Sequence, residues 1–99
     1  MSRLSAQKPW TFVTNHTQVL LAIYRDGDLR IRDIAATVGI TERAAQRIVA
    51  DLIEGGYITR ERVGRRNHYV VNSEIKMRHP AQREQDVGTL LKVLEQRVD

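Results

Sequence analysis

The stretch IRDIAATVGITERAAQRIVADLIEGGYITRERVGRRNHYVV, Ile31–Val71, decides how the rest of the chain is read. Ala45, Ile48, Val49 and Leu52 recur at three and four residues, the spacing that puts side chains on one face of a helix. That helix is expected over Glu42–Glu54. Thr41 is placed to cap it, and Glu42 lies in the first turn, where the helix dipole favours a carboxylate. Gly55-Gly56 ends it. Before it, Arg32–Val38 reads as a shorter helix with Ile34, Ala35 and Val38 inward. Gly39 then turns the chain, and Ile40 plugs into the core. After it, Ile58–Arg62 and His68–Val71 read as paired strands, with Gly64–Asn67 as the turn between them.

Working outward, Asn15–Arg25 is expected to form a helix capped by Thr14 or Asn15, with Val19, Leu20 and Ile23 as its buried stripe. Asp26-Gly27-Asp28 stops it, with Gly27 expected in the left-handed conformation that ends helices. Leu29–Ile31 leaves room for no more than one short strand. On the far side, Pro80 is expected to open a last helix, whose stripe is Val87, Leu90, Leu91, Leu94 and Val98. The fold class is therefore mainly α with a small β component, α+β. It comprises residues 1–13 as an N-terminal arm, 14–72 as a binding unit and 73–99 as a C-terminal segment.

The whole chain bounds what this arrangement can do. Ninety-nine residues suffice for one domain and one modest core, and leave little room for a deep ligand cavity. Hydrophobic residues make up 41%, as in a folded globular chain. No apolar run nears the roughly 20 residues that cross a bilayer, so no membrane partner is expected. The first ten residues, MSRLSAQKPW, lack the apolar core of a secretion signal. Cysteine is absent, which excludes disulfides and thiolate metal sites and suits a reducing cytoplasm. His16, His68 and His79 are scattered without metal-ligand spacing, so no metal or other cofactor is expected. Capping, packing or wing roles fit them better. No nucleophile turn or glycine-rich phosphate loop points to catalysis. The expectation is a binding protein and not an enzyme.

Its net charge is +4, with a pI near 10.0. Moderate basicity alone is weak evidence of a partner. The kind and placement of the charge say more, since nearly all the basic residues are arginine. The planar guanidinium fork suits phosphates and guanine edges.

At Gly39–Val49 the order helix, helix, turn, helix, strand, turn, strand resembles that of the winged helix-turn-helix transcription regulators. Within them the chain looks most like the small MarR-type and related bacterial or archaeal regulators. The resemblance is carried by IAATVGITERAAQRIVADLIEGGYITRERVGRR and extends over about Val19–Val71. It implies a three-helix core with a β-hairpin wing and a C-terminal helix. It further implies a sequence-specific regulator of transcription whose partner is double-stranded DNA. The tail is shorter than in many full-length MarR proteins, which weakens the case for their usual ligand pocket.

The geometry behind that implication can be read directly. A major groove about 12 Å wide admits one helix. With Ala45, Ile48, Val49 and Leu52 inward, Glu42, Arg43, Gln46 and Arg47 fall on the opposite face. Arg43 and Arg47 lie one turn apart, so both can enter one groove. Gln46 suits adenine and the arginines suit guanine. The plainer reading of this face is a solvated helix surface. Arg62, Arg65, Arg66, Asn67 and His68 cluster at the hairpin tip, where like charges repel unless a phosphate backbone or an A·T-rich minor groove stabilises them. The plainer reading there is a charge-rich soluble turn. Arg60 and Arg62 alternate with Thr59 and Glu61, so one pair is expected to face solvent. Arg32, at the start of the short helix, could hold the backbone through its side chain and the helix N-terminus, and Thr41 is also counted among the expected DNA-binding residues.

The last helix needs a partner for its stripe. Pairing with a second copy through Val87, Leu90, Leu91, Leu94 and Val98 is the favoured reading, with Gly88 allowing close approach. Packing on the first helix of the same chain is the alternative. Half-sites read by such a homodimer would lie about one helical turn apart. Trp10 and Phe12 are expected to anchor the arm on the core or the dimer. The other reading of that arm is a small effector pocket lined by Trp10, Phe12, His16 and Tyr24, a small-molecule partner that nothing else in the sequence supports. Two rivals to the DNA reading remain, a winged helix that docks a protein and a regulator that binds DNA in one ligand state only. The expected place of action is the cytoplasm, at the nucleoid.

Overall fold

The computed structural model describes residues 12–95. Four helices and one hairpin follow in the order α1 (Asn15–Arg25), α2 (Ile31–Val38), α3 (Glu42–Glu54), β1 (Ile58–Val63), β2 (Arg66–Val71) and α4 (Val87–Glu95). A single 3₁₀ turn, Pro80–Gln82, precedes α4.

Local chemistry sets the helix ends. The Thr14 hydroxyl accepts the Thr17 N–H at 3.3 Å, and the Thr41 hydroxyl accepts the Ala44 N–H at 3.0 Å. Each satisfies one of the amides that a helix start leaves without a partner. The Asp33 carboxylate reaches back to the Arg30 N–H at 3.3 Å, which starts α2 at Ile31. At the other end Gly39 takes φ 86° and its N–H bonds Ala35 O at 2.8 Å.

The core is one cluster shared by every element. Val19 to Ile23 of α1, Ile34 and Ala35 of α2, and Ala45, Ile48, Val49 and Leu52 of α3 are buried together with Ile58 and Tyr69 of the hairpin. Val87 and Leu91 of α4 join them, and Leu91 is fully buried. The hairpin is antiparallel, with Ile58 opposite Val71 at its base and Val63 opposite Arg66 at its tip. Gly64 and Arg65 form the loop. Only Gly64 has positive φ, the requirement of a two-residue hairpin loop whose first position is glycine.

Several expectations give way here. Leu29–Ile31 makes no strand, and the sheet among the described residues has two strands. The bond from Asp33 to Arg30 claims this segment for the start of α2. What remains of sheet pairing is one backbone bond, from Tyr69 N–H to Gly27 O at 2.8 Å. Gly27 is not left-handed. It is required for a different reason, because a Cβ there would lie 2.2 Å from the Tyr69 carbonyl oxygen. The strands run to Val63 and from Arg66, so the turn is shorter than Gly64–Asn67. Pro80 opens only the 3₁₀ turn. The last helix begins at Val87 because Asp86 caps it, its carboxylate accepting the Thr89 N–H at 3.1 Å and the Thr89 hydroxyl at 2.8 Å.

The chain between β2 and α4 folds back on itself. Met77 N–H bonds Gln85 O, Val87 N–H bonds Ile75 O and Gly88 N–H bonds Ser73 O, at 3.0, 2.9 and 2.9 Å. Gly88 is therefore needed within the chain, where an added Cβ would meet Ser73 at 2.8 Å. Its close neighbour within the chain is this segment. Phe12 is 95% exposed and anchors nothing in the described core, while Trp10 lies outside the described residues.

Candidate nucleic-acid interface

Helix α3 presents two unlike faces. Ala45, Ile48, Val49 and Leu52 are inside, whereas Glu42, Arg43, Gln46 and Arg47 are exposed near its N-terminal end. Arg43 and Arg47 differ by four residues, so their side chains stack on one face. Thr41 is also exposed, but its hydroxyl is engaged as the cap. Arg32 is exposed on α2.

The hairpin stands clear of the core beyond its base. Every residue from Thr59 to Arg66 is exposed, so Arg60 and Arg62 face solvent and so do Thr59 and Glu61. Val63, at the tip, is 62% exposed. Asn67 and His68 are half-buried.

The arginine-rich tip is not uniform. Arg62 Nε donates within the hairpin to Gly64 O at 3.4 Å. One Arg66 Nη donates to Asp28 O at 2.5 Å, and His68 Nδ1 donates to the Asp28 carboxylate at 2.6 Å. Two of the five tip residues named from the sequence therefore also tie the wing to the loop between α1 and α2. Arg65 makes no such tie. Between that loop and the wing lies a small concavity lined by Leu29, Arg30, Ile31, Arg65, Arg66, Asn67 and Tyr69. Sequence reasoning missed Arg30 and Asp28. Neither belongs to a periodic pattern, and the chain contacts that define their roles span about forty residues.

Elsewhere His16 Nε2 meets the Asp51 carboxylate at 2.8 Å, joining α1 to the C-terminal half of α3. This pair sits on an open groove of about 1170 Å³, which also takes in Leu20, Tyr57, Met77 and Leu90. Of the residues expected to line an effector pocket, His16 is in this groove, and Trp10 lies outside the described residues. Tyr24 and Phe12 are not in the groove. Among the described residues no three His, Cys, Asp or Glu side chains converge as metal ligands, and no helix is long and apolar enough to cross a membrane.

The order of elements, the capped α3 with its arginine face and the basic wing all agree with one family. Residues 12–66, which include all of α1 to β1 and the wing tip, match the family model of the MarR family. The chain belongs to the MarR family. The MarR fold is borne out a second way, by a solved structure. The crystal structure of MepR, a transcription regulator of the Staphylococcus aureus multidrug efflux pump MepA, superposes with a TM-score of 0.53 at 17% identity. The alignment covers 95% of this chain and 66% of the MepR chain, so this MarR-family chain spans a little under two thirds of that protein's length. At this identity the likeness concerns the fold. No curated protein matches the chain.

Proposed function

We propose that this MarR-family chain is a sequence-specific, double-stranded-DNA-binding transcriptional regulator that acts as a homodimer and is not an enzyme. The observation that carries the reading is the pairing of two exposed basic features on one scaffold: the Arg43, Gln46, Arg47 face of α3 and the Arg62, Arg65, Arg66 wing. The first supplies groups that discriminate base edges, and the second supplies charge that holds phosphates whatever the sequence. In the proposal α3 enters the major groove, and the wing lies along the backbone or in the minor groove. Arg32, Asn67 and His68 border that surface, and residues 14–72 form the DNA-binding unit.

For the homodimer, the surface in question is the outer side of α4. Val87 and Leu91 are buried in their own chain's core, which leaves half-buried Leu90 and Leu94 and exposed Val93 for a second copy. Val98 lies outside the described residues. The setting would be the cytoplasm, on nucleoid DNA.

Selection of bound duplexes from a random pool, with the full chain and at several salt concentrations, tests the whole reading. The expected product is a short two-fold motif whose affinity falls steeply with salt. No enrichment, or affinity indifferent to salt, would sink it.

A second reading is favoured by one observation, the open groove beside α1. In it the same regulator binds DNA in one effector state only, and the effector occupies the surface formed by His16, Leu20, Tyr57, Met77 and Leu90. A thermal-shift screen of small metabolites tests it, with substitutions at Tyr57 and Met77 expected to abolish any shift.

A further inference from the structure

Arg30, Arg65 and Arg66 come from two parts of the sequence and line one small concavity of about 230 Å³ between the start of α2 and the wing. The rest of the lining is Leu29, Ile31, Asn67 and Tyr69, with no carboxylate among them. The acids nearest Arg30 in sequence, Asp28 and Asp33, are engaged elsewhere. Asp33 accepts the Arg30 backbone N–H, and the Asp28 carboxylate accepts from His68. Among the described residues the ion pairs are His16 with Asp51 and His68 with Asp28, so none of these three arginines has a carboxylate partner.

Three cationic side chains without a carboxylate partner line one small space, where like charges repel, and the fold brings them there all the same. Arg66 is moreover fixed in place, since one of its Nη atoms donates to Asp28 O at 2.5 Å and its remaining N–H groups stay available. An oxyanion with several acceptor oxygens removes the repulsion and satisfies the planar donor forks in pairs. Arginine is better fitted to this than lysine because its donors are held in a fixed plane.

We infer that this concavity is a seat for a single phosphate group, formed jointly by Arg30, Arg65 and Arg66. The inference rests on the DNA-binding reading for its natural source, a backbone phosphodiester of the bound duplex. A free phosphate ion offers the same chemistry. A phosphodiester held between α2 and the wing fixes the wing's register on the duplex without reading any base. Arg30 then acts as a phosphate contact that no part of the α3 face supplies.

The test uses the full chain in two arms. In the first, duplex affinity is measured against salt for the wild type, Arg30→Gln and Arg30→Lys, with circular dichroism confirming that each variant is folded. Arg30→Gln is expected to weaken specific and random duplexes by the same factor. It should also lower the slope of log affinity against log salt by about 0.9, the value of one phosphate contact. Arg30→Lys is expected to restore the slope while leaving affinity below wild type, because it keeps the charge and loses the fork.

The second arm titrates inorganic phosphate into the DNA-free protein and follows backbone amide resonances. Shifts at Ile31, Arg65 and Arg66 that vanish in Arg30→Gln support the seat and add free phosphate to its ligands. If the protein binds DNA and Arg30→Gln changes neither affinity nor slope, the seat is overturned. Should the protein bind no DNA at all, the regulatory reading fails, and the phosphate titration decides the seat alone: local shifts sustain it, and their absence overturns it.

Discussion

The His68 imidazole donates through Nδ1 to the Asp28 carboxylate at 2.6 Å, across the joint between the wing and the α1–α2 loop. The same residue's carbonyl receives Arg66, so Asp28 holds the wing by two side chains at once. Asp28 is exposed and His68 half-buried, and pairs this open to solvent are worth about 0.2–1 kcal/mol. Asp28→Ala is therefore expected to cost less than about 1 kcal/mol in urea denaturation. Its effect on DNA affinity should be the larger one, because the wing then keeps the Arg66 bond to the residue-28 carbonyl but loses the His68 tie that helps orient Arg65 and Arg66. Equal and small losses in both measurements would show that the wing is positioned without the Asp28 carboxylate.

A backbone contact makes the same joint intolerant of a single methyl group. Gly27 lies so close to β2 that a Cβ would sit 2.2 Å from the Tyr69 carbonyl oxygen, and that oxygen cannot rotate away as a side chain can. Gly27→Ala is expected to cost about 1–3 kcal/mol, in the range of other forced overpacking. Amide hydrogen exchange should rise at Tyr69, whose N–H bonds Gly27 O in the native protein. A variant as stable as the wild type would mean that the loop shifts without strain.

The positions of these two residues show how much of the protein was legible in its sequence. The limits of α1 and α3 follow from Thr14, Thr41 and the apolar spacing between them, because caps and helix faces are interactions over three or four residues. The wing was legible for the same reason, since Gly64 and the flanking strands are neighbours in the chain. Gly27, Asp28, Arg30 and Gly88 were not legible in their roles. Each acts on a segment distant in sequence, Gly27 and Asp28 on β2, Arg30 beside the wing tip and Gly88 on Ser73. Gly27 reads as a left-handed helix stop and Gly88 as a dimer contact, and each also stands against a distant segment of its own chain. The residues Arg43, Gln46 and Arg47 were singled out because an amphipathic helix with a known inner face leaves only one outer face.

That outer face carries the prediction about sequence discrimination. Arg43→Ala and Arg47→Ala are each expected to reduce affinity for a selected duplex by about 1–3 kcal/mol, roughly 5- to 150-fold. Binding to random DNA should change far less. Because both side chains are exposed, stability should stay within about 0.5 kcal/mol of wild type. Competition between selected and random duplexes reads the ratio directly. An unchanged ratio would remove α3 as the base-reading element.

Helix α4 should separate folding from pairing. Leu91 is fully buried in its own chain, so Leu91→Ala is expected to cost about 2–5 kcal/mol through lost burial and the cavity left behind. Val93 is 60% exposed on the same helix, and Val93→Glu should leave the protomer folded. If the outer side of α4 joins two copies, that second variant shifts the mass measured by light scattering from dimer to monomer. Two variants with the same mass as the wild type would place any dimer contact elsewhere.

The start of α4 makes the acid stability of the protein depend on one carboxylate. Asp86 is held below its ordinary pKa, chiefly by the hydrogen bond from the Thr89 hydroxyl, then by that from the Thr89 N–H, with Lys76 and Lys92 adding smaller attractions. Burial opposes these effects without reversing them. A lowered folded-state pKa means that the unfolded chain takes up the proton more readily. The stabilisation is therefore fully present above the unfolded value, about 3.9, and is lost as pH falls through the folded one. Asp86→Ala should be less stable than the wild type at pH 7. The gap should hold constant down to about pH 5 and shrink below about pH 4, where the wild-type carboxylate itself becomes protonated. Urea denaturation of both proteins between pH 3 and 7 measures that gap, and a gap of constant size across the range would mean that the cap works without its charge.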